Sequence, residues 1–464
     1  MNKKPPHIMI LMPDQQRADC MGCAGHPIIK TPNMDRLAAE GTRFAEATTV
    51  SPICMPARAS FASGLYPHNH GMWTNKGELP AGDETFFQIL QRAGYCTAHI
   101  GKSHYYEHAR DLHMRDREPY MHVRGLEYVH ETTGPHATCH TASYMTDDWE
   151  RKGLWDLFKN DYAERAKANG AMVRPSPLPV EDFLDSYVGR HAVDFLNAYD
   201  DERPLCLFVG FGGPHEPWDA PGEYASMYAP ADMPGSILAP ESTAAGPEWL
   251  RKKSDFSAWP PEVLRQTAAI RANYCGKISL IDHWFGEILK ACSRKGWRDN
   301  LLVAFWSDHG EMLGDHGRFY KTTFHESSVR VPLILRWPGR IPAGAVTNAL
   351  AEIIDVFPTI LEAAGCAPSH RCLGRSLWPV LREPGAEMRD FQLSEIQFGQ
   401  RNIMIRSRSR KYVVDEQCRA FMMFDLENDP HERMNLIFGG NHGGMEAELR
   451  EALLKRLVEA QYCM

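Results

Sequence analysis

Residues 7–16 read His7-Ile8-Met9-Ile10-Leu11-Met12-Pro13-Asp14-Gln15-Gln16. Two lysines precede the run, as in a secretory leader, but His7–Met12 is too short for a leader core and no small-residue cleavage site follows it. The run passes straight into polar residues, so it predicts a buried β-strand with Asp14 and Gln15 at its carboxyl end. In open parallel sheets, chemistry gathers beyond the carboxyl ends of the strands.

Outward from this strand, apolar runs alternate with amphipathic stretches, the pattern of an α/β domain with a largely parallel sheet. Strands are expected at Cys96–Ile100, Leu205–Phe211 and Leu301–Trp306. Helices are expected at Asn33–Glu40, Thr85–Ala93, Tyr187–Ala198 and Val263–Ala291, with Ser60–Gly64 in the first turns of another. His215 and Asp308-His309 follow two of the strands, as Asp14-Gln15 follows the first. The stretches from Glu107 to Val173 and from Asp219 to Pro261 are less periodic and predict loops that shape a pocket mouth or the surface. Arg382–Arg389 reads as a linker-like break, dividing a catalytic unit of residues 1–385 from a smaller unit of residues 386–464. In the latter, Phe391–Gln397, Ile403–Arg406 and Lys411–Asp415 predict an antiparallel sheet closed by a helix at Glu446–Glu459.

A chain of 464 residues with 43% hydrophobic and 24% charged side chains can bury a large core. Its formal charge of −8 offers no basic field, which argues against nucleic acid or an anionic membrane as a partner. No apolar run is long enough to cross a bilayer, and a cytoplasmic location is expected. Any anion handled here must be held by a local cluster of donors or by a metal. Twelve cysteines are too sparse and irregular for a disulfide scaffold. Cys20-x-x-Cys23 has no second pair to make a zinc site and reads as incidental. Cys206 reads as a small buried hydrophobe.

Cys54 is different. It lies in Ser51-Pro52-Ile53-Cys54-Met55-Pro56-Ala57-Arg58-Ala59-Ser60-Phe61-Ala62-Ser63-Gly64, some forty residues after Asp14-Gln15. Cys54-x-Pro56-x-Arg58 followed by Ser63-Gly64 resembles the signature of the type I, formylglycine-dependent sulfatases of the alkaline phosphatase superfamily. Asp14-Gln15 with Asp308-His309, where most of that family carry Asp-Asp and Asp-Asn, resembles its choline-sulfatase and phosphonate monoester hydrolase branch. Ala62-Ser63-Gly64 departs mildly from the usual Leu-Thr-Gly. The resemblance runs from Asp14 to the closing segment Phe424-Asp425-Leu426-x-x-Asp429-Pro430-x-Glu432-x-x-Asn435-Leu436.

The resemblance implies an alkaline-phosphatase-like sheet and conversion of Cys54 to Cα-formylglycine by a dedicated maturing enzyme. It also implies one divalent metal on Asp14, Gln15, position 54, Asp308 and His309. An imidazole ligand favours Mn²⁺, with Ca²⁺ the alternative and Mg²⁺ behind both. Arg58 would orient the formylglycine, and Lys102 and His104 of Gly101-Lys102-Ser103-His104 would contact sulfate and collapse the diol. His215 of Gly213-Pro214-His215-Glu216-Pro217 would face the leaving group, and Lys321 would clamp the sulfate. His316 reads as supporting structure and His325 as a pocket candidate. Trp73, Asn75, Tyr105 and Tyr106 read as pocket walls or core.

The aldehyde has a physical rationale. Hydrated, it offers one hydroxyl to attack sulfur, and deprotonation of the other then expels sulfate, so no water need attack a covalent intermediate. The leading expectation is a hydrolase of a small-molecule sulfate monoester. The alternatives are a phosphonate monoester or phosphodiester hydrolase with the same site, and an inactive binding homologue. A homo-oligomer is an open possibility.

Overall fold

The computed structural model describes residues 4–168, 172–238, 261–369, 371–383, 385–439 and 442–461. Its strands are β1 (His7–Asp14), β2 (Thr42–Phe44), β3 (Ala47–Thr48), β4 (Cys96–Gly101), β5 (Tyr128–Glu131), β6 (Leu205–Pro214) and β7 (Leu301–Trp306). There follow β8 (Leu333–Arg336), β9 (Ala345–Thr347), β10 (Ala351–Glu352), β11 (Gln392–Phe398), β12 (Gln400–Arg406), β13 (Arg410–Asp415) and β14 (Ala420–Asp425).

β1 lies inside an eight-stranded sheet of order β5-β4-β6-β1-β7-β8-β2-β9. Ile8 pairs in parallel register with Cys206 on one side and Leu302 on the other. The five strands from β5 to β7 run parallel, and β8 and β2 add two antiparallel pairings at the far side. The sheet is thus mixed and largely parallel.

Alternation along β1 explains why the run is apolar throughout. Ile8, Ile10 and Met12 enter the core on one face, while Met9 and Leu11 enter the core on the other. The first core includes Phe61 of the helix Cys54–Ser63, whose ring lies 4.3 Å from that of Trp306. The second is covered by the helices Leu184–Ala198 and Thr267–Arg294. Because β4, β6, β1 and β7 are parallel, the residues that follow them emerge at one edge of the sheet.

The second sheet is an antiparallel meander in the order β11-β12-β13-β14. Leu393, Ile405, Tyr412 and Met423 on one face join the main core, together with Leu449 and Leu453 of the helix Gly443–Glu459. Ile396, Met404, Val413 and Phe424 pack with Ile53, Phe324 and Val329. This second sheet therefore supports the residue immediately before Cys54.

Several expectations change. The helix begins at Cys54, so Ser60–Ser63 form its last turns and not its first. Ile53 is still extended, and Gly64 ends the helix at φ 71°, where a Cβ would come within 2.7 Å of Cys372 Sγ. The expected helix at Val263–Ala291 is two, Pro261–Leu264 and Thr267–Arg294. The aperiodic stretch after Glu107 holds the helices Glu118–Val123, Tyr144–Arg151 and Trp155–Lys167 as well as β5, and is no plain loop. Of the second stretch, residues 239–260 lie outside the described residues. β14 was not anticipated. No helix among the described residues is long and apolar enough to cross a membrane.

Candidate active site

Asp14 Oδ, Cys54 Sγ, Asp308 Oδ and a ring nitrogen of His309 all lie within 4.8 Å of one another, and all four residues are buried. Asp14 ends β1, Asp308-His309 follow β7 after one residue, and Cys54 opens its helix across from them. Cys54 Sγ is 3.1 Å from His309 Nε2 and 4.0 Å from Asp14 Oδ1. His309 Nδ1–H donates to the Gly310 carbonyl at 3.0 Å, which turns Nε2 toward the cluster. Two carboxylates, an imidazole nitrogen and the position-54 side chain are a donor set that fits a divalent cation.

Positive charge surrounds this core. Arg58, fully buried, donates from Nε to Asp308 Oδ2 at 2.8 Å, from Nη2 to Asp14 Oδ2 at 2.9 Å and from Nη1 to the Lys102 carbonyl at 2.8 Å. Lys102 Nζ donates to Asp14 Oδ2. Burial alone would raise the Asp14 carboxyl, but Lys102 and Arg58 outweigh it and hold the group well below the usual carboxylate range. Burial and Asp14 push the Cys54 thiol up, yet Lys321, His309 and Lys102 prevail and leave it below its ordinary value. Burial disfavours charge on His309, but Asp308 and Cys54 raise its pKa to about 9. A divalent cation on Nε2 would take the place of that proton.

Facing the cluster, Lys321 Nζ donates to His215 Nε2 at 2.7 Å, while His215 Nδ1–H donates to the Glu216 carbonyl at 2.8 Å. Burial holds His215 neutral, well below its ordinary pKa, despite Glu216. His136 Nε2 sits 3.1 Å from Glu216 Oε1. His136, His215 and Glu216 form a second compact group of possible metal ligands, but the Lys321 ammonium against His215 makes it a poor cation site. Neither group contains Cys20 or Cys23.

Gln15 stands at φ 66° with its backbone N–H donating to Asp308 Oδ1 at 2.9 Å. Its side-chain oxygen accepts from Lys321, and its Nε2 donates to Glu216 Oε2 at 2.9 Å and to Glu311. Burial and Glu216 raise the Glu311 carboxyl to about 7. His104, at φ 58°, has a buried Nδ1 without a partner and a ring 4.5 Å from that of His108. Burial and Lys102 keep His104 neutral.

The outer expectations divide. Asn75 Oδ1 accepts from the Met55 N–H at 3.0 Å and so caps the helix that carries Cys54. Trp73 is covered by Arg401, 4.6 Å from its ring. Tyr105 and Tyr106 pack in the main core, with Tyr106 donating to Glu131 at 2.6 Å. His316 and His325 stack on each other at 4.3 Å. Sequence reasoning missed Glu216, Glu311 and His136. Glu216 lay unread inside the Pro-His-x-Pro element, and Glu311 two residues beyond His309.

The sheet, and the convergence of its strand ends, are those of the alkaline phosphatase superfamily. The phosphonate monoester hydrolase of Agrobacterium radiobacter superposes with a TM-score of 0.80 at 25% identity, covering 98% of this chain and 96% of that one. Within that superfamily the chain belongs to the sulfatase family, whose "Sulfatase" model matches residues 6–366. The model described as "N-sulphoglucosamine sulphohydrolase, C-terminal" matches residues 314–460. An arylsulfatase of Clostridium perfringens is 30% identical over 97% of this chain and 94% of its own length. The multifunctional alkaline phosphatase superfamily protein PehA of Trinickia caryophylli is also 30% identical, over 93% of this chain and 91% of its own. The chain is a hydrolase of the sulfatase family.

Proposed function

We propose that the protein hydrolyses a small-molecule sulfate monoester, with Cys54 oxidised to formylglycine as nucleophile and one divalent cation beside it. The observation that carries this reading is the enclosure of Cys54 by Asp14, Asp308 and His309, all within 4.8 Å. A cation held by these residues, with Gln15 alongside, would lower the pKa of the attacking hydroxyl and neutralise ester oxygens. Mn²⁺ is the preferred ion because of the imidazole, with Ca²⁺ the alternative.

The chain's own residues supply the rest. Arg58, clamped by Asp14 and Asp308, orients the position-54 side chain. Lys102, buried, and Lys321, half-buried, bring two ammonium groups toward the sulfate, the preorganised charge that an anionic transition state needs. His104, neutral and with a free ring nitrogen, can take the proton of the second diol hydroxyl. His215 accepts from Lys321 and so holds that ammonium ready to protonate the leaving oxygen. Maturation requires a formylglycine-generating enzyme as partner.

A second reading, hydrolysis of phosphonate monoesters or phosphodiesters at the same site, is favoured by the likeness to the Agrobacterium enzyme. Parallel assays on an aryl sulfate, a phenyl phosphonate monoester and a phosphodiester decide between them. The sulfatase reading expects the highest kcat/KM on the sulfate, and a preference for phosphorus reverses it.

A further inference from the structure

Gln15 is held by three charged groups. Its Nε2 donates to Glu216 and Glu311, and its Oε1 accepts from Lys321. Gln15, Glu216 and Glu311 are all buried. Glu311 is not free to turn, because its Oε1 accepts from the N–H groups of Leu313, at 3.0 Å, and Tyr320. That leaves Oε2 for Gln15. The other oxygen of Glu216 faces His136 at 3.1 Å.

An amide has one donor end and one acceptor end. Two carboxylates on one side and an ammonium on the other admit a single orientation. A carboxylate at position 15 would lose both Nε2 donations and set a third acidic group against Glu216 and Glu311. We infer that Glu216 and Glu311 are positioning residues that fix the Gln15 amide, nitrogen toward themselves and oxygen on the Lys321 side. They thereby make an amide, and not a carboxylate, obligatory at position 15. The inference rests on the proposed reading that Gln15 helps to hold the cation.

The test compares wild type with Gln15→Glu, Glu311→Gln and the double variant, by Mn²⁺ titration calorimetry and by melting temperature in chelator. Simple attraction predicts that the added charge of Gln15→Glu tightens Mn²⁺ binding. The clamp predicts at least about tenfold weakening, because a carboxylate oxygen is set against Glu216 and Glu311. Glu311→Gln, its oxygen retained by Leu313 and Tyr320, turns a nitrogen toward Gln15 Nε2 and weakens Mn²⁺ by a similar factor. The double variant restores a donor–acceptor pair and recovers about tenfold over either single change.

A Gln15→Glu protein that binds Mn²⁺ as tightly as wild type overturns the clamp, and so does a double variant no better than the weaker single one. Should a single variant fail to fold, a double variant that folds and binds supports it, and one that does neither overturns it. A wild type that takes up neither Mn²⁺ nor Ca²⁺ instead overturns the functional reading, while the swap read in chelator melting temperatures still decides the clamp.

Discussion

Arg58 separates two carboxylates that have no contact with solvent, and each of its three nitrogens has an assigned partner. Removing a partner from such a buried ion cluster costs about 3–5 kcal/mol. Arg58→Met is therefore expected to lower the melting temperature in chelator sharply, and a melt unchanged from wild type would show that Lys102 alone balances Asp14. Lys321 differs because its partners are His215 and Gln15, groups that need no counter-charge to stay buried. Lys321→Ala should fold normally and lose about 10²-fold or more in kcat, the usual loss for a preorganised transition-state donor, as steady-state kinetics can check. At this scale the sequence was most informative. Asp14, Cys54, Arg58, Lys102, His215, Asp308, His309 and Lys321 could all be named, because each follows a readable strand end or sits in a dense motif. Glu216 and Glu311 could not. A carboxylate whose work is to hold another side chain carries no spacing of its own, and only the contacts to Gln15 reveal it.

Elements were legible where one periodicity dominated. β1 and β7 read as buried strands, and the helix expected at Thr85–Ala93 is there, its start closed by a reciprocal cap between Thr85 and Gln88. β14 escaped because Phe421–Phe424 is apolar on both faces, one toward the main core and one toward Ile53, so it shows no alternation. The helices Glu118–Val123 and Tyr144–Arg151 escaped because they span about two turns at most, and Trp155–Lys167 because its buried residues are Phe158, Asp161 and Arg165, two of them charged, so it shows no apolar stripe. Between β4 and β6 the constraint is steric. A Cβ on Gly210 would lie 2.2 Å from the Lys102 carbonyl oxygen, the same oxygen that accepts from Arg58. Gly210→Ala is expected to push Lys102 off its strand end, reducing kcat more than stability. Equal kcat in the variant, with only its melting temperature lowered, would mean that the strand shifts and the lysine does not.

Over the whole molecule, burial of histidines sets the response to acid. His70, His99 and His130 are lowered to about 3, and His7 and His316 to about 4, burial being the main cause in each. Between pH 6.5 and 4 these groups bind protons in the unfolded chain and not in the native one, so stability falls as pH falls. Asp14 and Glu352, held low by their cationic neighbours, add the same sign at lower pH. Glu131, Glu311 and Glu432, raised to about 7 by burial, Asp185 and Asp282, raised to about 6, and His309, raised to about 9 by Asp308 and Cys54, oppose it. His104, His108, His215 and His325 are likewise held below their ordinary value by burial, so the lowered histidines prevail in number, and the melting temperature should drop from pH 7 to pH 5. A flat or rising profile would show that the buried carboxyls dominate.

The chemistry proposed for this site depends on Cys54 being converted to an aldehyde. Mass spectrometry of the tryptic peptide containing Cys54, from protein made with the maturing enzyme, tests it most directly. The thiol is expected to be replaced by an aldehyde, with specific activity rising in proportion to the converted fraction. A fully active protein whose Cys54 remains a thiol would contradict it.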